Sequence, residues 1–246
     1  MNSNSQTSLH RLQHVASILD GNNRWAKQRG LSGIAGHRAG AERIRDLLPS
    51  ARNLGVQTVS LFAFSSENWL RPPMEVRGLM SLFSTYLKKE AKLLRDDGIK
   101  LRIIGSKDRF SDRLNRQIKD AERLTASGEL NLHLYVDYGG RWEIAQAAKK
   151  MAEKIEDGSL SSSDISSSDI DSYFLDNGLS APDLCIRTAD EQRISNFMLW
   201  QMAYTELYFT DCFWPDFDKN EFEHAIESYY SRQRRFGTRS SVQENN

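Results

Sequence analysis

The sequence is short of the features that mark several large protein classes. It has 2 cysteines among 246 residues, Cys185 and Cys212, too few for a disulfide scaffold or a four-ligand zinc site. Lysine plus arginine equals aspartate plus glutamate, 33 each, so no bulk charge is available to hold a nucleic acid. No stretch approaches the roughly 18 apolar residues of a membrane span. The N-terminal Met1–Gln13 lacks the apolar core of a signal peptide, so a cytoplasmic protein is expected. Gly30, Gly33, Gly36 and Gly40 fit neither the dinucleotide fingerprint nor the phosphate-loop spacing. There is no G-x-S-x-G, and His10, His14, His37, His133 and His224 offer no zinc spacing.

What is present is a repeated alternation of apolar strands with amphipathic helices. Strands are expected at 15–19, 58–64, 99–104, 130–136, 184–188 and 207–210. Helices are expected at 39–54, 75–96, to about 126, 142–155, 194–204 and 220–234. Pro49 warns of a kink in the first of them. Two copies of Ser-Ser-Ser-Asp near residues 161–169 read as a solvated connector. Mostly apolar rather than alternating strands mean a central, mostly parallel sheet of about six strands flanked by helices, in a single α/β domain. The domain is expected over 14–239, between a loose tail at 1–13 and a polar tail at 240–246.

In such a sheet every strand ends on one rim, where ligands of open α/β sheets bind. The first strand empties into Asp20-Gly-Asn-Asn-Arg24-Trp25, followed by Arg29 and the Gly-rich passage with His37. Ser65, Asp137 and Arg187 end other strands, with Asn68, Arg71 and Arg141 just beyond. Arg193 and Ser195 follow Arg187, and the acids that join this group are Asp20 and Glu206. Many donors with few carboxylates suit phosphates accompanied by a magnesium ion. Capping for Asp20, a turn for Asn68 and a structural hydrogen bond for His37 remain the plainer alternatives. Arg187 is harder to explain that way, because a charge ending an apolar strand needs a partner.

The blocks His14–Ala26, Phe62–Pro72, Tyr138–Arg141, Arg187–Phe197, Glu206–Thr210 and Trp214-Pro215, in this order, resemble the cis-prenyltransferases, of the bacterial undecaprenyl diphosphate synthase kind. The likeness spans about residues 12–239, and the D-D-x-x-D motifs of trans-prenyltransferases are absent. It implies an α/β homodimer that condenses farnesyl diphosphate with successive isopentenyl diphosphates, eight for an undecaprenyl product, with Mg²⁺. Such a product is the lipid carrier precursor of bacterial cell-wall glycans. It further implies peripheral contact with the inner face of the membrane and no nucleic-acid partner.

By the same resemblance Asp20 is catalytic and metal-associated, Glu206 a second metal residue, and Asn68 a helper in proton removal. Gly21, Asn22, Asn23 and Arg24 match the holders of the allylic diphosphate. Arg187, Arg193 and Ser195 match those of isopentenyl diphosphate. His37, Trp69, Arg71 and Glu75 match other active-site or loop positions, and Arg235 to Gly237 a segment reaching the partner subunit's site; Trp25, Arg29 and Ser65 are further substrate-binding candidates. The growing chain needs an apolar tunnel, for which Ala63, Leu79, Phe83, Leu87 and Leu130 are candidates, with core packing as the alternative for each.

The sequence departs from the family pattern at several positions. Asp137 replaces an asparagine, Ala189-Asp190 a Gly-Gly, and Gln192 a frequent histidine. Tyr135 and Val136 are bulkier than common alanines. Gly33 stands where some members carry a phosphate-binding arginine, leaving Arg29 to compensate or the contact missing. A shorter- or longer-chain synthase, a non-catalytic partner subunit, and a sugar- or nucleotide-phosphate kinase or phosphatase are the rival readings.

Overall fold

The computed structural model describes residues 11–174 and 179–232. Six parallel strands form one sheet: β1 His14–Ile18, β2 Thr58–Ser65, β3 Ile99–Ile104, β4 Leu130–Tyr138, β5 Leu184–Arg187 and β6 Glu206–Phe209. Their spatial order is β3-β4-β2-β1-β5-β6. The chain therefore builds outward from β1 in both directions, and the end of β1 lies at the switch point of the sheet. β1 is buried along its whole length, as its unbroken apolar run requires of a strand covered on both faces.

Helices α1 Asn22–Gln28, α2 Gly33–Asn53, α3 Pro73–Asp96, α4 Asp112–Leu124, α5 Gly140–Glu156, α6 Ser167–Asp171 and α7 Lys219–Ser231 complete the fold. Side chains of α2, α3, α4 and α7 fill one face of the sheet, with Leu48, Leu94, Ile118 and Ala225 deep within it. The opposite face packs on Phe197, Met198 and Met202. Helix starts follow local chemistry: Ser32 and Ser111 accept from Ala35 and Leu114 N–H, and Pro73 opens α3. α2 continues as one helix through Pro49, which faces solvent.

Several expectations change. Residues 194–204 are not a helix but a chain of turns, with Ser195, Asn196 and Met198 at positive φ. Separate anchors hold this segment: Phe197 and Met198 are fully buried, and Asn196 O accepts from Gly140 N–H at 2.7 Å. The tail expected over 1–13 is packed by residue 12, because Leu12 is 1% exposed. The Ser-Ser-Ser-Asp copies are exposed, yet form a 3₁₀ turn at Ser162–Asp164 and helix α6, each capped by serine. The C-terminal positions Arg235 and Gly237 lie outside the described residues.

Candidate active site

The main chain of Asp20 is fixed from three sides. Its N–H donates to Thr188 Oγ1 at 3.0 Å, and its carbonyl accepts from Thr188 Oγ1 at 2.8 Å and Trp214 N–H at 3.0 Å. The chain then turns at Gly21, whose φ of 96° caps α1. A Cβ there would meet Phe213 Cδ1 at 2.6 Å and Ala189 Cβ at 2.9 Å, so shape and backbone both demand glycine. Gly36 has a different reason. A Cβ on it would lie 2.0 Å from Asn22 O, so α2 packs directly on the start of α1. The Gly-rich passage thus serves helix packing beside Asp20.

The Asp20 carboxylate accepts from Gly21 N–H at 2.7 Å and from Arg187 Nη2 at 2.8 Å. Arg187 is almost wholly buried. It also donates to Ser195 Oγ at 2.6 Å and to the Arg193 carbonyl. Arg24 lies 3.5 Å from Asp20 and 3.3 Å from Glu191, with its guanidinium over the Phe213 ring at 5.7 Å. Arg193 pairs with Glu191, and Arg71 with Glu75 at 3.1 Å. Four arginines therefore converge from α1, β5 and the two connections that follow β2 and β5.

These groups line a cleft of about 550 Å³ that includes Asp20, Ser65, Asn68, Arg71, Arg187, Arg193 and Ser195. A second recess, about 300 Å³, is lined by Gly21, Asn22, Asn23, Arg24 and Glu75 with Asp20 and Arg71. The cleft opens into an apolar cavity of about 100 Å³ between α2, α3 and the sheet. Leu19, Asn22, His37, Ala63, Phe64 and Leu79 border both. His37 stands at this junction. Burial, reinforced by Arg71, pushes its imidazole down to about 4, so it is neutral at pH 7. Asn68 Oδ1 accepts from Ser65 N–H at 3.1 Å, which leaves its amide NH₂, a donor, for the cleft.

The structure separates some residues from this group. Trp25 and Arg29 are both tied to Asp216, at 2.7 and 3.0 Å, and neither lines the cleft. Arg29 is thus paired away from the cleft in this structure. A Cβ on Gly33 would lie 2.5 Å from Asn23 Oδ1, so the glycine leaves room for Asn23. Arg141 is exposed on α5, and Asp137 turns away to Trp69. Glu206 is not on the rim with Asp20. It opens β6 opposite Leu184, at the far end of the sheet, and pairs with Arg232 at 3.1 Å.

Of the tunnel candidates, Ala63, Leu79 and Phe83 line the cavity, whereas Leu87 and Leu130 are packed core, 2% and 3% exposed. Leu130 begins β4, remote from the rim, while Leu134 and Val136 reach the cavity. Sequence reasoning missed Glu67 and Asn196, which line the cleft and are joined at 2.8 Å. It also missed Tyr86, although Leu79, Phe83 and Tyr86 share a helical spacing that could have shown it.

The sequence family described as "putative undecaprenyl diphosphate synthase" matches residues 18–237. The chain belongs to this prenyltransferase family. It is 48% identical over 229 residues to a ditrans,polycis-undecaprenyl-diphosphate synthase, farnesyl-diphosphate specific, of Pseudomonas putida, covering 93% of this chain and 91% of that protein. An Escherichia coli K12 protein of the same description is 47% identical, with 93% and 90% covered. Among solved structures, lavandulyl diphosphate synthase of Lavandula x intermedia in complex with dimethylallyl diphosphate superposes with a TM-score of 0.89 at 38% identity, covering 92% of this chain and 98% of that one. A probable undecaprenyl diphosphate synthase of Campylobacter jejuni gives 0.77 at 30% identity, with 92% and 99% covered. The family's parallel sheet and helical layers are those seen here, and the enzyme is a prenyltransferase.

Proposed function

We propose that the cleft condenses farnesyl diphosphate with successive isopentenyl diphosphates and that the adjoining cavity receives the growing cis-polyprenyl chain. The carrying observation is continuity. A polar cleft with three arginines, Arg71, Arg187 and Arg193, opens through Ala63 and Leu79 directly into an apolar space. In the reaction the allylic C–O bond breaks and the diphosphate leaves with the electron pair. The isopentenyl double bond supplies the electrons of the new C–C bond, and a proton is lost from its neighbouring carbon. Arginine forks stabilise the charge that develops on the leaving diphosphate. Arg24 with the recess lined by Gly21 to Asn23 suits the allylic diphosphate, and Arg187, Arg193 and Ser195 suit the isopentenyl one. Asn68 is an amide donor here, so its part in proton removal is to orient the diphosphate oxygens. Neutral His37 keeps the mouth of the cavity uncharged.

Among the described residues no group of three acids, histidines or cysteines could hold a metal. The donor set suits Mg²⁺ in another way, since this ion commonly takes one carboxylate and completes its shell with phosphate and water. Asp20, one-third exposed at the cleft, would be that carboxylate, and Mg²⁺ arriving with a diphosphate would neutralise the leaving group. Glu206 would join only if a second subunit brought it near.

A homodimer is part of the proposal. Among the described residues, outer strand β6 has no neighbour beyond it in this sheet, and Tyr204, Leu207 and Tyr230 nearby are exposed. Peripheral membrane contact follows from the product, with Leu70 and Met74, 89% and 73% exposed beside Arg71, as the apolar crest next to the mouth. Incubating the purified chain with farnesyl diphosphate, labelled isopentenyl diphosphate and Mg²⁺ and resolving the products by chain length tests the reading. A ladder ending near eight additions is expected; no elongation under varied metal and detergent would overturn it.

A further inference from the structure

Near their ends β2 and β4 go out of step twice. Phe62 faces Tyr135, then Phe64 faces Val136 and Ser65 faces Tyr138. Ala63 is therefore unmatched on β2 and Asp137 unmatched on β4, an opposed pair of bulges. Such irregularities re-aim side chains, and they gather beside active sites. The first leaves Ala63 exposed to the cavity within an otherwise buried run. The second puts Asp137 at φ 54° and turns its carboxylate out of the sheet while leaving the residue 2% exposed.

Asp137 Oδ1 accepts from Trp69 Nε1 at 2.7 Å, and Oδ2 is buried with no hydrogen-bond partner among the described residues. A half-satisfied buried carboxylate is costly, and that cost calls for an explanation in function. Trp69 does not line the cleft. It packs edge-on to Phe64 at 5.4 Å and against Phe110 at 6.4 Å, under the Arg109 guanidinium. Its neighbours in the 3₁₀ turn Ser66–Leu70 do face the cleft: Glu67 and Asn68, with Arg71 immediately after. On its other flank the turn is held by Asn196 through Glu67.

We propose that Asp137 is a positioning residue that latches Trp69 and thereby fixes Asn68 and Arg71 over the cleft. The kinetic part rests on the condensation reading above; the structural part does not. Asp137→Gly keeps the left-handed backbone without strain and removes the acceptor. Asp137→Asn keeps both the conformation and an acceptor. Trp69→Phe keeps the ring and removes the donor.

Asp137→Gly and Trp69→Phe are each expected to lower kcat about tenfold, the effect of one hydrogen bond lost. Asp137→Asn should stay within about threefold, and the Gly/Phe double variant should be no worse than the poorer single one. Amide hydrogen exchange across residues 65–71, measured without substrate, should quicken in Asp137→Gly while that of β1 stays unchanged. Multiplicative single effects, Asp137→Asn as damaging as Asp137→Gly, or unchanged exchange at 65–71 would each overturn the latch. If the wild-type enzyme does not elongate, the reaction is misassigned, and the exchange result still decides the latch.

Discussion

At Asp20 the backbone is held by Thr188 and Trp214, independently of the side chain, so the carboxylate can be altered without moving the loop. Asp20→Asn keeps an acceptor for Arg187 and is expected to fold normally while losing on the order of 10²-fold or more in turnover. Near-normal elongation rates by that variant would contradict the role given to Asp20. The buried histidines make a second prediction. Burial lowers His37 to about 4 and His133 to about 3, the latter also through His14 and Arg102. With folded values below the ordinary 6.5, the unfolded chain binds more protons between pH 6.5 and those values. Stability is therefore full above pH 6.5 and declines as pH falls toward 4. Urea midpoints measured across this range should fall, and His133→Gln should remove part of the slope. A flat profile would count against neutral burial.

At the scale of elements, strands were legible because each is an apolar run of the right length, and the rim followed from their common direction. The segment 194–204 was not, because buried Phe197, Met198 and Met202 look like one helix face while Ser195, Asn196 and Met198 adopt left-handed backbone. Paired bulges leave no composition signal, which is why Asp137 read as a rim charge. The pairing of Arg29 and Trp25 was hidden for a related reason: sequence shows a basic and an aromatic residue near Asp20 but not their partner Asp216, 187 and 191 residues on. Glu206 shows the limit of adjacency to a strand, since a residue that opens a strand lies at the end opposite one that closes it. α3 supplies the element-scale test. Leu79, Met80, Phe83 and Tyr86 line the cavity from this helix, and the Tyr86 hydroxyl is buried without a partner among the described residues. Tyr86→Ala should lengthen the longest product by one or more units, and Ala63→Leu at the mouth should shorten it. Unchanged product ladders in both variants would remove α3 and the bulge from control of length.

For the whole molecule, the outer edge of β6 predicts its own assembly. Leu207→Glu should shift the mass measured by light scattering from two chains to one; a wild-type monomer would dismiss the dimer. The crest of Leu70 and Met74 predicts that full-length enzyme sediments with phosphatidylglycerol vesicles and that Leu70→Ser with Met74→Ser reduces this several-fold. Equal sedimentation of the variant would place membrane contact elsewhere. The cavity between α2, α3 and the sheet has one further consequence. At about 100 Å³ it is smaller than an engineered void of roughly 150 Å³ that takes a single benzene. A chain that outgrows this space and the adjoining cleft needs α2 and α3 to part, with roughly 4 kcal/mol of hydrocarbon withdrawn from water per five carbons to drive it. Product length is then a force balance, ending where the stiffness of the helix pair equals the push of the next unit. Softening that packing would lengthen the polymer without touching any residue that meets a diphosphate.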